Sequence, residues 1–421
     1  MTKRQWTDAE IQDALALKGQ GATWREVAAH FDCTVDAIRS AVKGRGLEVP
    51  PAPKAEKPDA GLQAPKEPDT LETRTAKARD AMERKHEKHL FKQLLDEKAR
   101  TEVIVEGLQA AVQALPRVYT PLPTVIIKPT QKPEEAILTI SDSQIGQWTR
   151  QEETGGLGHY NLDVFAQRAE RLRQSVLEIS ETHRSRGGLP VLNVFFAGDI
   201  VDGEAIFPNQ LAHIDLDVAG QLMLGVDTFA PFLISLLEVY PTVRVLSVSG
   251  NHGRSGRSKK EPGMRFRSNW DYIMAQFLRA RLIQYADRIE WNVPESWFAI
   301  QEVQGKRFLV HHYDVVKSWM NLPYYGLDRY DSRFSRVLHA RGMHYDYMIG
   351  GHFHNYANVE TPTGEWIING AWPGASYHSL RDLAVASSPS QMMFGVHPDR
   401  GLTWRYKIGL AEDPAVDLVM P

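Results

Sequence analysis

Five polar clusters in this chain are the residues most able to do chemistry, and three of them directly close apolar runs. Ser141-Asp142-Ser143-Gln144 follows the run 136–140, Gly198-Asp199-Ile200-Val201-Asp202-Gly203 follows 191–196, and Gly250-Asn251-His252-Gly253 follows 243–248. Val310-His311-His312-Tyr313-Asp314 and Gly350-Gly351-His352-Phe353-His354 come later. Their donor atoms are carboxylate oxygens, amide oxygens and imidazole nitrogens, with no thiolate. That set suits Mn²⁺, Fe or Zn²⁺ and does not match a structural Cys-type zinc site. Two cations about 3.5–4 Å apart need a bridging carboxylate, which one central Asp with neutral ligands on each side supplies. A single His-x-His or Asn-His is commonplace. Five such clusters in order, each after a strand-like run, argue for one convergent site.

The elements that must position these residues alternate. Short apolar runs ending in polar residues read as buried strands. Helical patterns separate them at about 163–183 and 217–239, and another follows at about 269–283. Side chains leaving the carboxyl edge of such a sheet converge. After Arg288 the character changes to hairpins, with Gln304-Gly305, Thr363-Gly364 and Pro398-Asp399-Arg400-Gly401 as turns. Alternating units followed by hairpins predict an α/β two-sheet sandwich with helices outside.

The N-terminal third differs in composition. Residues 1–47 predict three short helices: Thr7 precedes an acidic first turn, Thr23 and Glu26 form a capping box, and Thr34 opens a third helix carrying Arg39 and Lys43, with Arg45 beyond it. This pattern resembles a helix-turn-helix of the homeodomain-like or Myb-like kind, which implies that Arg39, Lys43 and Arg45 meet DNA. The bland alternative is a small interaction bundle, since residues 1–50 hold seven basic and seven acidic residues. Residues 48–70 read as a Pro-rich linker, and 71–132 as a long charged helix and connector. Residues 133–421 hold the α/β domain.

Composition sets the outer bounds. The chain has 421 residues, 43% hydrophobic and 24% charged, enough for a large core. Cys33 is the only cysteine, so a disulfide-stapled secreted domain is excluded, and it reads as a small half-buried apolar residue. The start lacks a signal-peptide pattern, and the most apolar stretch, around 228–240, contains Pro231 and Glu238. These features predict a soluble cytoplasmic protein without membrane contact. A net charge of −3 gives no global nucleic-acid signal, so any such affinity must be local.

The clusters resemble the calcineurin-like metallophosphoesterases, whose pattern is D-x-H, G-D-x-x-D, G-N-H, a lone His and G-H-x-H. Here the series reads D-S-Q, G-D-I-V-D, G-N-H, His311 and G-H-F-H over about residues 135–410. The resemblance implies two divalent cations, Mn²⁺ first with Fe or Zn²⁺ as alternatives. Asp142, Gln144 and His354 would hold one, Asn251, His311 and His352 the other, and Asp199 would bridge. His311 stands ahead of His312 because it directly follows the strand. The family's first His is Gln144 here, whose carbonyl favours a hard cation. The resemblance further implies that a metal-bridging hydroxide attacks phosphorus while His252, oriented by Asp202, assists the leaving group. Gly203 stands where the family's protein phosphatases carry an Arg, which speaks against a phosphoprotein substrate.

After the third cluster Arg254, Arg257, Lys259, Lys260, Arg265 and Arg267 face one acid, Glu261. A cationic loop beside a phosphoester site suits a polyanion. With the N-terminal unit this is similar to the DNA-repair exonuclease branch, in a fusion of the type carried by bacteriophages and prophages. The leading expectation is a Mn²⁺-dependent DNA nuclease. A nucleotide phosphodiesterase or phosphatase with a regulatory N-terminal module, and a non-catalytic DNA-binding scaffold, remain alternatives. Exo- or endonucleolytic action, strand preference and homodimerisation stay open.

Overall fold

A computed structural model of the chain describes residues 6–45, 47, 49, 71–114, 121–127, 132–204, 206–207, 210–255, 266–317, 323–381 and 384–411. The chain divides into two units, Met1–Glu87 and Lys88–Pro421. In the first, α1 (Asp8–Gly19), α2 (Trp24–His30) and α3 (Val35–Lys43) are short. Thr7 with Glu10, and Thr23 with Glu26, form reciprocal capping boxes, and the Ala37 amide donates to Thr34 Oγ1 at 3.3 Å. Each cap satisfies amides that a helix start leaves open. Ile11, Leu15, Val27, Ile38 and Val42 make a small core, with half-buried Cys33 against it. A 44-residue helix, α4 (Leu71–Ala114), follows. The linker expected over 48–70 lies, apart from Val49, outside the described residues.

The second unit starts with β1 (Glu135–Ile140), α5 (Leu162–Gly187), β2 (Val191–Ala197), α6 (Val218–Leu236), β3 (Thr242–Val248), α7 (Trp270–Arg281) and β4 (Ile289–Asn292). It continues through β5 (Phe298–Val303), β6 (Lys306–His311), α8 (Tyr324–His339), β7 (Tyr347–Gly350), β8 (Ala357–Glu360) and β9 (Glu365–Ile368). It closes with α9 (Tyr377–Arg381), β10 (Ser390–His397) and β11 (Gly401–Gly409). One sheet has the order β11-β10-β1-β2-β3-β4, the other β5-β6-β7-β9-β8. All three expected turns are present. Past Arg288, however, the chain is not hairpins alone: β4 adds a parallel edge strand to the first sheet, and α8 is a crossover between parallel β6 and β7.

Strand alternation assigns each face. Ala136, Leu138 and Ile140 pack with Leu172, Val176, Leu222, Phe229 and Phe277 of the helices. Ile137, Phe195 and Leu246 face the other way and meet Phe308, Val310, Ile349 and Ile367 of the second sheet. Leu309, Met348 and Trp366 face outward beneath α8. The sequence thus gives helix, sheet, sheet and helix layers. By length and composition α6 alone among the described helices would cross a membrane, but Leu222, Val226, Phe229 and Leu233 spend that apolarity in the core.

Candidate metal centre

The loops after β1, β2, β3, β6 and β7 carry the five clusters, and the neighbouring strand order brings their ends together. Asp142, Gln144, Asp199, Tyr313, His352 and His354 all have positive φ, between 43° and 74°. Six non-glycine residues in this sparsely populated region within one site mark backbone held there by its surroundings. Two glycines show how tightly the loops meet. A Cβ at Gly250 would lie 2.1 Å from Asp199 Oδ1, and one at Gly351 2.0 Å from Asp142 Oδ2.

Asp199 lies at the centre. Its Oδ1 accepts from the His252 amide at 2.7 Å, and its Oδ2 lies 2.7 Å from His312 Nε2. Asp199, His312 and His352 offer donor atoms within 4.8 Å of one another. Burial opposes charge on Asp199, yet the His312 and His252 imidazoles outweigh it and hold the carboxyl below the usual range. The His352 ring is driven down to about 3 by burial and by His312, so it stays neutral. Asp142 accepts from the His352 amide at 2.9 Å and lies 3.4 Å from His354 Nε2. The Gln144 amide is 3.2 Å from that same ring nitrogen.

The site offers atoms without partners. Asn251 Oδ1 and His312 Nε2 are buried and find no hydrogen bond among the described residues. The 2.7 Å approach of His312 Nε2 to Asp199 Oδ2 is close in distance but lacks hydrogen-bond alignment. Atoms sharing a cation at about 2.1 Å in octahedral geometry sit about 3 Å apart, which this spacing matches. His312 Nδ1 meets the Ala197 carbonyl at 2.8 Å, an outer contact that would leave the other nitrogen to a metal.

This geometry corrects one expectation. His311 does not face Asp199; it packs beside Trp297, Tyr313 and Tyr330, with ring centroids at 5.5, 4.6 and 5.1 Å. Burial drives it down to about 3, neutral among aromatics. Leu309, His311 and Tyr313 take the outer face of the strand line, and Phe308, Val310 and His312 the inner one. The residue at the site is therefore His312.

His252 Nδ1 lies 3.0 Å from Asp202 Oδ1. Gln210 Nε2 donates to Asp202 Oδ2 at 2.9 Å and fixes that carboxylate. Burial would lower the His252 ring, but Asp199 and then Asp202 overcome it and push it up to about 9. Two residues that sequence reasoning missed support the frame. Asp271, near the start of α7, accepts from the amides of Asp199, Ile200, Val201 and Gly250 at 3.0, 3.0, 3.3 and 2.9 Å. Asn369 Nδ2 donates to Ser141 Oγ at 2.9 Å and to Gln391 Oε1 at 2.8 Å, behind Asp142. The only local signal was the Asn269-Trp270-Asp271 helix start, which any surface helix shares.

The expected nucleic-acid contacts divide. Arg39 and Lys43 are exposed on α3, Arg39 lying over the Trp24 ring at 5.7 Å. Arg45, also exposed, bonds Asp8 Oδ1 at 2.8 Å and the Trp6 carbonyl at 2.5 Å, closing the three-helix unit on itself. Arg254 is likewise engaged, ion-paired with Asp314 at 2.5 Å, both half-buried. Arg257, Lys259 and Lys260 lie outside the described residues.

No protein-family model and no curated protein matches the chain. Among solved structures it is similar to Vps29 of Entamoeba histolytica complexed with Zn²⁺, at 13% identity over 65% of this chain and 99% of that one, with a TM-score of 0.27. Vps29 of Cryptosporidium parvum gives 13% identity, 66% and 98% coverage and a TM-score of 0.30. An archaeal phosphodiesterase gives 10% identity, 65% and 99% coverage and 0.29. At such scores the likeness carries no weight for function, which must be read from the side chains.

Proposed function

We propose that the protein is a metal-dependent phosphodiester hydrolase of the calcineurin-like metallophosphoesterase kind, acting on DNA. One observation carries the reading: the unpartnered His312 Nε2 converges with Asp199 and His352 beside a His252–Asp202 pair, and the neighbouring loop holds a buried, unpartnered Asn251 Oδ1. The donor set fits two hard-to-borderline cations. Asp142, Gln144 and His354 would hold one, Asn251, His312 and His352 the other, with Asp199 shared. The amide at Gln144 favours Mn²⁺ over Zn²⁺ at the first position. Its Oε1 reaches the place of Nε2 by a simple amide flip.

When bound, such cations supply Lewis acidity toward a phosphoryl group and the attacking water. The chain supplies the rest. Asp202 fixes the His252 ring through Nδ1, leaving Nε2 for the substrate. With its proton held up to about 9, His252 is cationic at neutral pH and suited to protonate a leaving oxygen. DNA as substrate is supported by the cationic run after His252 in the sequence, and by exposed Arg39 and Lys43 in a unit that resembles a helix-turn-helix.

Turnover of bis-p-nitrophenyl phosphate by metal-stripped protein, with and without added Mn²⁺, tests the hydrolytic half. Release of p-nitrophenol only with metal supports it. No release with Mn²⁺, Fe²⁺ or Zn²⁺ refutes it.

A further inference from the structure

A cavity of about 860 Å³ lies between α8 and the segment after His312. Tyr325, Arg329 and Arg333 stand at i, i+4 spacing on one row of α8, and Tyr330 and Phe334 on the adjoining row. Lys317 faces them from the segment after His312. Among its described lining residues three are cationic and none is acidic. Arg329 and Arg333 are exposed and form no ion pair among the described residues, and Tyr325 is 67% exposed. Gly326 presses on the Lys317 carbonyl, where a Cβ would come within 2.0 Å, so α8 and the facing segment are held together.

Cations that form no ion pair among the described residues, beside the exposed Tyr325 ring, form a surface for a polyanion that also presents flat aromatic faces. Single-stranded nucleic acid has that combination, because its phosphates and unstacked bases are available together. A duplex hides its base faces, and an acidic peptide offers no stacking partner. At the inner wall the Tyr330 ring lies tilted 5.1 Å from His311, on the face of the strand line opposite His312. The buried Tyr330 hydroxyl has no partner among the described residues.

We propose that this groove holds a single strand of nucleic acid, with phosphates on Arg329, Arg333 and Lys317 and a base stacked on Tyr325. The assignment deepens the phosphodiesterase reading and rests on it for the strand's role as substrate. Binding, however, is measured apart from turnover.

The test uses the full chain and a fluorescein-labelled thymidine 20-mer, followed by anisotropy at several salt concentrations. Arg329→Ala/Arg333→Ala is expected to weaken binding at least tenfold and to reduce the salt slope by about 1.4, the value for two single-strand phosphate contacts. Tyr325→Ala should weaken binding several-fold without changing that slope. Arg171→Ala/Arg173→Ala on α5 removes equal charge elsewhere and should change affinity less than twofold. Melting curves on each variant establish that it is folded. Equal affinity of the folded groove variants and the wild type overturns the proposal. So does a groove variant that changes only the oligomeric state by light scattering, which would make the groove a contact between copies. Failure of the hydrolytic reading would show separately, as wild-type protein that turns over no small diester with any metal.

Discussion

Asp271 gives the sharpest quantitative test of how the site is held. Its two oxygens each accept two backbone amides, at 3.0 and 3.3 Å on Oδ1 and at 3.0 and 2.9 Å on Oδ2. Those amides come from the loops after β2 and β3, which carry Asp199 and Asn251. Asp271→Asn keeps the shape but leaves one oxygen, so two buried amides lose their acceptor and meet an NH₂ instead. At about 1–3 kcal/mol for each unsatisfied buried donor the loss is about 2–6 kcal/mol. Removing a buried negative charge offsets part of it. Burial and the Asp199 carboxylate already push Asp271 up to about 6, so its ionised form is strained there. A net loss of about 2–4 kcal/mol remains, a large share of the roughly 5–15 kcal/mol of a typical domain. With a urea slope of about 3 kcal/mol/M this lowers the midpoint by about 1 M. Tryptophan fluorescence in urea on metal-free protein reads it. A midpoint within about 0.2 M of wild type would refute the two-loop clasp.

The other predictions concern the site itself. His312→Ala should abolish tight binding of one of two Mn²⁺ equivalents by metal analysis after gel filtration, whereas His311→Phe, in its aromatic nest, should retain both. His252→Asn should lower kcat about 10²–10⁴-fold while metal content stays constant. Metal binding should release protons. Burial disfavours charge on His312, but Asp199 chiefly pushes it up to about 10, so a cation must displace a proton that the free protein holds at neutral pH. Apparent Mn²⁺ affinity should therefore rise as pH climbs from 6 to 9, and calorimetry in buffers of differing ionisation enthalpy should detect about one proton.

Much of this architecture was legible from local chemistry. Apolar runs of strand length and amphipathic helical runs located β1, β2, β3, α5, α6 and α7, because burial on both faces leaves a signal in each residue. The five clusters were visible because loops at strand ends carry polar residues that a core would reject. The choice between His311 and His312 was not legible. Both Phe308 and Leu309 are apolar, so β6 shows no polar face to set its register, and a one-residue slip swaps the sides. The partners of Arg45, Arg254 and Asp271 lie 37, 60 and up to 72 residues away in the chain, and only tertiary structure pairs them. The groove on α8 has the same origin. Lys317, which faces the α8 arginines and tyrosines, comes from a separate segment that only tertiary structure brings opposite them.

End-labelled single- and double-stranded DNA incubated in Mn²⁺ with wild-type protein and with His252→Ala tests the central claim most directly. The account predicts cleavage that needs metal, is lost in the variant and is faster on the single strand. DNA left intact by metal-loaded wild type, or cut equally by the variant, would contradict it.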